Sequence, residues 1–308
     1  MATPGKRHRR METRMKIRHF VELTATLLAT GAHAELVFKD DAGHEVRLRE
    51  PARRIIALAP HIAESLYAAG AGSRMVGTVD YSDYPPAAKQ LPRVGGYSRI
   101  DLEAVVALKP DLVIAWESGN NMVQADKLRA LGLTVYISQP NRMEDVARQL
   151  ERYGQLAGTS AVADVEARRF RERLAALQAA NASKPKVRTF YQIWKAPLMT
   201  VGGPQIISDA IRLCGGDNVF GHLKQMAPRI SVEAVIEANP EAIVATGMGD
   251  AKPEWLHDWD KWKNLTAVRR DNLFHINPDI MQRHTPRILD GTTQLCAHLD
   301  VARSRRPK

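Results

Sequence analysis

Two stretches of this chain repeat one another at an offset of 130 residues, and that repeat limits the fold more than any other feature. Residues 99–116 read RIDLEAVVALKPDLVIAW, and residues 229–246 read RISVEAVIEANPEAIVAT. Asp101 and Ser231 stand at the N-cap, where a side-chain oxygen accepts from free backbone N–H groups. Glu103 and Glu233 follow in the first turn, where the helix dipole favours a carboxylate. An apolar helix face comes next, Pro110 or Pro240 ends it, and a strand follows over residues 112–115 or 242–245. Repeats of about 20–50 residues build solenoids. One long-period repeat instead predicts two lobes of the same design, and 308 residues suffice for two cores.

The rest of the pattern agrees. Residues 36–38 and 45–48 alternate around a turn cluster and read as a hairpin. Residues 54–58 form a buried strand that runs into a helix closed by Gly70 and Gly72, and residues 75–79 form the next strand. Strands alternating with helices predict a mostly parallel sheet. In residues 158–183, Val162, Val165, Phe170, Leu174 and Leu177 fall near helical spacing, and Lys184-Pro185 stops the run. The expected fold is therefore α/β: two Rossmann-like lobes joined by a single long linker helix, with a ligand cleft between them. The boundaries are 1–34 for a leader, 35–157 for the first lobe, 158–183 for the linker and 184–308 for the second lobe. Later elements are a strand from Val187, a helix over 206–213, a strand within 272–277 and a final helix over 286–299.

The formal net charge is +10, and residues 1–34 carry half of it, with seven cations against Glu12 and Glu22. A basic start, a short apolar run (20–31) and Ala32-His33-Ala34 have the order of a secretory signal peptide. The alternative is a cytosolic protein with a basic tail. The remaining charge forms no basic face that would bind nucleic acid, and the end, Arg303 to Lys308, reads as a solvated terminus. In an oxidising compartment the two cysteines, Cys214 and Cys296, read as one disulfide; otherwise they are two unconnected buried thiols.

No enzyme signature is present: no G-x-S-x-G, H-E-x-x-H or P-loop. The ten histidines show no metal-ligand spacing, so no metal site is expected. Aromatic residues do cluster at strand ends: Tyr81 in YSDYPP, Tyr97 after Gly95-Gly96, and Trp116 at the end of the first repeat. Ligands of open α/β sheets bind at the carboxyl ends of strands, and aromatic walls suit a large flat ligand with apolar edges.

YSDYPP (81–86), LEAVVALKPDLVIAW (102–116), LCGGDNVF (213–220), SVEAVIEANPEAIVATG (231–247) and TPRI (285–288) together give the chain a resemblance to periplasmic cobalamin-binding proteins. These belong to the helix-linked class that also holds haem and siderophore binders. The resemblance covers roughly residues 53–300. It implies a non-catalytic, monomeric periplasmic protein with no cofactor of its own, which captures cobalamin for an ABC importer. It further implies that Tyr81, Tyr97 and Trp116 line the cleft, while Asp279 and Arg283 face the ligand from the second lobe. An acceptor-only Asp and a donor-only Arg together suit primary amides, which do both. Cys214 and Cys296 match a disulfide of that family, and Glu103 and Glu233 match a pair that docks onto arginines of the membrane permease subunits. One departure is that Met199 and Ala227 stand where a second-lobe aromatic can occur, with Trp194 and Met226 as candidate replacements. Haem or a ferric siderophore is the alternative ligand. Haem requires an axial ligand, for which His61, His284 and Tyr81 are the candidates.

Overall fold

The computed structural model describes residues 1–3, 5, 35–247 and 253–307. The chain divides into two units, Met1–Ala34 and Glu35–Lys308. The expected leader therefore lies almost wholly outside the described residues.

The second unit begins with the predicted hairpin, β1 (Leu36–Lys39) antiparallel to β2 (Glu45–Leu48). β3 (Ile55–Ala57) leads into α1 (Pro60–Ala68), where Pro60 occupies a first-turn position that needs no N–H partner. Then come β4 (Met75–Thr78), the short pair β5 (Gly95–Gly96) and β6 (Arg99–Ile100), α2 (Leu102–Ala107), β7 (Leu112–Trp116), α3 (Met122–Ala130) and β8 (Val135–Ser138). The first main sheet is parallel throughout, in the order β4-β3-β7-β8. Every residue of β3 and β8 is buried, as strands covered on both faces require.

Two helices cross to the second sheet, α4 (Met143–Ala157) and α5 (Ser160–Asn181). Gly158, in the left-handed region at φ +68°, ends α4, and α5 fills most of the predicted linker. The second lobe contains β9 (Val187–Trp194), β10 (Met199–Thr200), α6 (Ile206–Leu213), β11 (Gly216–Asn218), α7 (Val232–Ala238), β12 (Ala242–Ala245), α8 (Thr266–Arg269), β13 (Leu273–His275), α9 (Pro278–Met281) and α10 (Ile288–Ser304). Its sheet runs β10-β9-β12-β13, with β11 also on β9; all pairings are parallel except β9–β10.

The repeat is visible in three dimensions. Asp101 Oδ1 accepts from the Ala104 N–H at 3.0 Å, and Ser231 Oγ accepts from the Ala234 N–H at 3.2 Å. Each capped helix feeds a buried strand beside the first strand of its sheet, β7 next to β3 and β12 next to β9. One apolar cluster covers the outer face of the first sheet and another that of the second. A third runs continuously from Ile62, Leu150 and Phe170 to Ile207, Cys214 and Leu295. The lobes thus share one core through their helices, which resists independent lobe motion.

The basic C-terminus is not the solvated end expected from its charge run. Arg303 donates to the carbonyls of Pro185 and Cys214, each at 2.7 Å. Arg306 grips Glu241 through Nε at 2.8 Å and Nη2 at 2.9 Å. Partial burial pushes the Glu241 carboxyl up, but the hydrogen bond from Arg306 and the nearby positive charges outweigh this and hold it below the ordinary range. Guanidinium groups have fixed forks that match carbonyls left free at strand and helix ends.

Candidate cleft between the two sheets

The aromatic residues predicted for the cleft sit at the carboxyl edge of the first sheet. Tyr81 follows β4, has φ +63° and is 73% exposed. Tyr97 lies in the β5–β6 turn at 42% exposure, and Trp116 closes β7, half-buried. Tyr97 and Trp116 are in ring contact, with centroids 6.3 Å apart. Asn120 holds this edge together. Its amide donates to the carbonyls of Leu58 (2.8 Å) and Tyr97 (2.6 Å), and its oxygen accepts from the Trp116 N–H at 2.6 Å. Gly119 lies against the Trp116 ring, where a Cβ would come within 1.9 Å of ring carbon Cε3. A substitution there must displace the indole.

The carboxyl edge of the second sheet faces this one, and the ion pairs between them define the cleft. Arg283, after α9, donates from Nη1 to Asp83 Oδ1 at 2.6 Å and from Nη2 to the Tyr81 carbonyl at 3.3 Å. Its Nη2 also pairs with Asp279 Oδ1 at 2.9 Å. Arg287 forks onto Glu64 of α1, with Nε to Oε1 and Nη2 to Oε2 both at 2.6 Å, and Thr285 donates to Oε1 at 2.6 Å. The Arg287 guanidinium also lies 3.7 Å from the centroid of the Tyr84 ring. Arg283 and Asp279 therefore pair with one another, and Arg283 is also engaged by the first lobe. Glu64, Asp83 and Asn120 were not singled out as site residues. Asp83 lies within the YSDYPP motif. Glu64, inside a helix, carries no local mark of a partner 223 residues away.

His61 and His284 meet beneath Trp116. Their centroids are 5.3 Å apart, and each lies within 5.9 Å of the Trp116 centroid. Both are buried, and His61 Nε2, His284 Nδ1 and Trp116 Nε1 have no hydrogen-bond partner among the described residues. Of the three candidate axial ligands, only Tyr81 is exposed. Burial pushes the His61 pKa well below its ordinary value, with His284 and Arg283 adding to the effect, and burial lowers His284 to about 4. In the unfolded chain a histidine takes up a proton below about pH 6.5. Below that pH the unfolded state binds more protons than the folded one, so stability falls with pH. For His284 the loss between pH 6.5 and pH 4 is expected to reach about 3 kcal/mol. Urea unfolding at pH 7 and pH 4.5 should show this slope in the wild type and a shallower one in His284→Gln. Equal slopes would refute the assignment.

Trp194 ends β9 at 42% exposure and pairs across the strands with Met199 of β10. Directly paired residues of an antiparallel ladder share a face. The second edge therefore carries a Trp194–Met199 pair, while Met226 is half-buried and Ala227 exposed. Glu103 and Glu233 are both exposed, in the first turns of α2 and α7. Cys214 and Cys296 form a disulfide between the end of α6 and α10. Two grooves, of about 420 and 440 Å³, lie elsewhere, around Gly203, Arg212, Gly221 and His222. No residue predicted for the ligand lines either. The inter-sheet cleft is the better candidate because aromatic and charged groups from both strand-end edges converge there. Among the described residues, no group of three or more His, Cys, Asp or Glu is placed to hold a metal ion.

A model of the periplasmic binding protein family matches residues 55–280. The chain belongs to that family. It is a binding protein and not an enzyme. It is 38% identical over 258 residues to a vitamin B12-binding protein of Vibrio parahaemolyticus, an alignment spanning 83% of this chain and 93% of that one. The crystal structure of the periplasmic vitamin B12-binding protein of Vibrio cholerae superposes with a TM-score of 0.76 at 37% identity, covering 82% of this chain and 98% of that one. A periplasmic haem-binding protein from Pseudomonas aeruginosa has a TM-score of 0.69 at 25% identity, covering 80% and 92%. The two-lobe α/β architecture is thus that of the family.

Proposed function

We propose that this chain captures cobalamin in the cleft between its two sheets and delivers it, unaltered, to the permease of an ABC importer. The supporting observation is the aromatic edge of Tyr81, Tyr97 and Trp116 set opposite Arg283, which pairs with Asp83 and Asp279. The corrin would stack against the rings, and its amide side chains would hydrogen-bond to Asp279 and Arg283. Trp194, beside Met199, supplies apolar surface on the second edge. Two features favour a corrinoid over haem: both histidines are buried beneath Trp116, and the charge of Arg283 is already matched by carboxylates, leaving little to attract propionates. Export by residues 1–34, residence in the periplasm, a monomeric state, and docking through Glu103 and Glu233 complete the proposal. Two equivalent exposed carboxylates suit a twofold-symmetric permease.

Calorimetric titration with cyanocobalamin should give a 1:1 isotherm with a Kd of about 1 μM or tighter. Trp116→Ala should weaken binding by roughly 30-fold, the size expected of a central aromatic contact. No cyanocobalamin binding, or a strong Soret shift with haemin, would overturn the ligand assignment. Docking has its own test: Glu103→Ala combined with Glu233→Ala should abolish uptake with ligand affinity unchanged. Uptake at the wild-type rate refutes the docking pair.

A further inference from the structure

The polar side of the cleft is a small cluster with an unequal charge balance. Arg283 and Arg287 face Glu64, Asp83 and Asp279, so two guanidinium groups meet three carboxylates. Glu64 is committed to Arg287 and Thr285 and is buried. Arg283 is then shared by Asp83 at 2.6 Å on one lobe and Asp279 at 2.9 Å on the other, with the Tyr81 carbonyl as a third acceptor at 3.3 Å. Both aspartates remain partly open to the cleft, with side chains 45% and 42% exposed, whereas the Arg283 side chain is only 13% exposed. An entering group therefore meets two accessible acceptors and a guanidinium whose charge is already balanced.

We propose that Asp83 sets the charge selectivity of the cleft: by sharing Arg283 with Asp279, it makes the site accept uncharged, amide-bearing corrinoids and disfavour corrinoids carrying a carboxylate in place of an amide. The inference rests on the cobalamin reading above. An amide can donate its N–H to an aspartate while its carbonyl accepts from Arg283. A carboxylate has no N–H to donate and is placed beside two like charges, and an unpaired or repelled group is the usual means of excluding a near-identical ligand. Asp83 stays charged at neutral pH. Partial burial raises its pKa, but the hydrogen bond and charge of Arg283 outweigh that and hold the carboxyl below its ordinary value.

The test compares two ligands in each of three proteins. Cyanocobalamin and a cyanocobalamin monocarboxylic acid, with one peripheral amide hydrolysed, are titrated into wild type, Asp83→Asn and Asp83→Ala at neutral pH and low salt. Asn keeps the shape and an acceptor for Arg283 while removing the charge; Ala removes the bridge as well. The ratio of the two Kd values is the readout, so a general loosening of the cleft cancels. Wild type should prefer the amide by tenfold or more, and Asp83→Asn should reduce that preference by about tenfold, a change of about 1.4 kcal/mol. Asp83→Ala should shift the ratio in the same direction, and added salt should shrink the wild-type preference. Wild-type binding with a ratio that Asp83→Asn leaves unchanged overturns this inference alone. Failure of wild type to bind either corrinoid overturns the cobalamin reading and this inference with it.

Discussion

Replacing Cys214 and Cys296 together by alanine is expected to lower stability by about 4.5 kcal/mol, because the bridge closes a loop with a sequence separation of 82 residues. The bridge ties the end of α6 to α10, and both sulfurs lie in the shared core. Alanine fits without introducing a buried polar atom, so most of the loss should come from the freed unfolded chain. At roughly 2–4 °C per kcal/mol for a domain of about this size, the midpoint of thermal unfolding should fall by about 9–18 °C. Reductant should reproduce the fall in wild type and add nothing to the double variant. A drop of less than about 3 °C would show that the closed loop does not limit the unfolded state in the manner of that model.

The elements most legible in the sequence were those whose signals are local. The caps at Asp101 and Ser231, the proline stops, the apolar run of α5 and the helix over residues 206–213 depend on neighbours within a few positions, and each element forms close to its predicted place. The aromatic edge was legible because strand ends locate it. Partners brought close only by the fold were not. The charge run Arg303–Lys308 looks like solvated sequence, yet Arg303 and Arg306 reach carbonyls and a carboxylate more than 60 residues away. Arg283 was assigned to the ligand alone, although Asp83 and the Tyr81 carbonyl hold it across the cleft. His61 and His284, candidates for an axial role, instead lie buried beneath Trp116.

Glu64 is the sharpest example, and its removal is expected to have the other large effect. The carboxylate is buried in α1 and receives Arg287 in a two-bond fork, the Thr285 hydroxyl, and a more distant charge from Arg283 at 3.8 Å. Glu64→Ala would leave a partly buried guanidinium and a buried hydroxyl without their acceptor, and breaking such a pair costs about 3–5 kcal/mol. Urea unfolding should show a lower midpoint with an unchanged slope, the mark of lost stability rather than an altered unfolded state. Glu64→Gln should fall between, since the amide oxygen still accepts one bond but the charge is gone. Glu64→Leu combined with Arg287→Met should recover much of the loss, because an apolar pair leaves no orphaned charge in the interior. That recovery would show up as a coupling energy of at least about 1 kcal/mol in a double-mutant cycle. If Glu64→Ala costs less than about 1 kcal/mol, the fork behaves as an exposed ion pair does. The two lobes would then be held by their shared apolar core and the Arg283–Asp83 pair, with Glu64 contributing nothing to the alignment of the cleft.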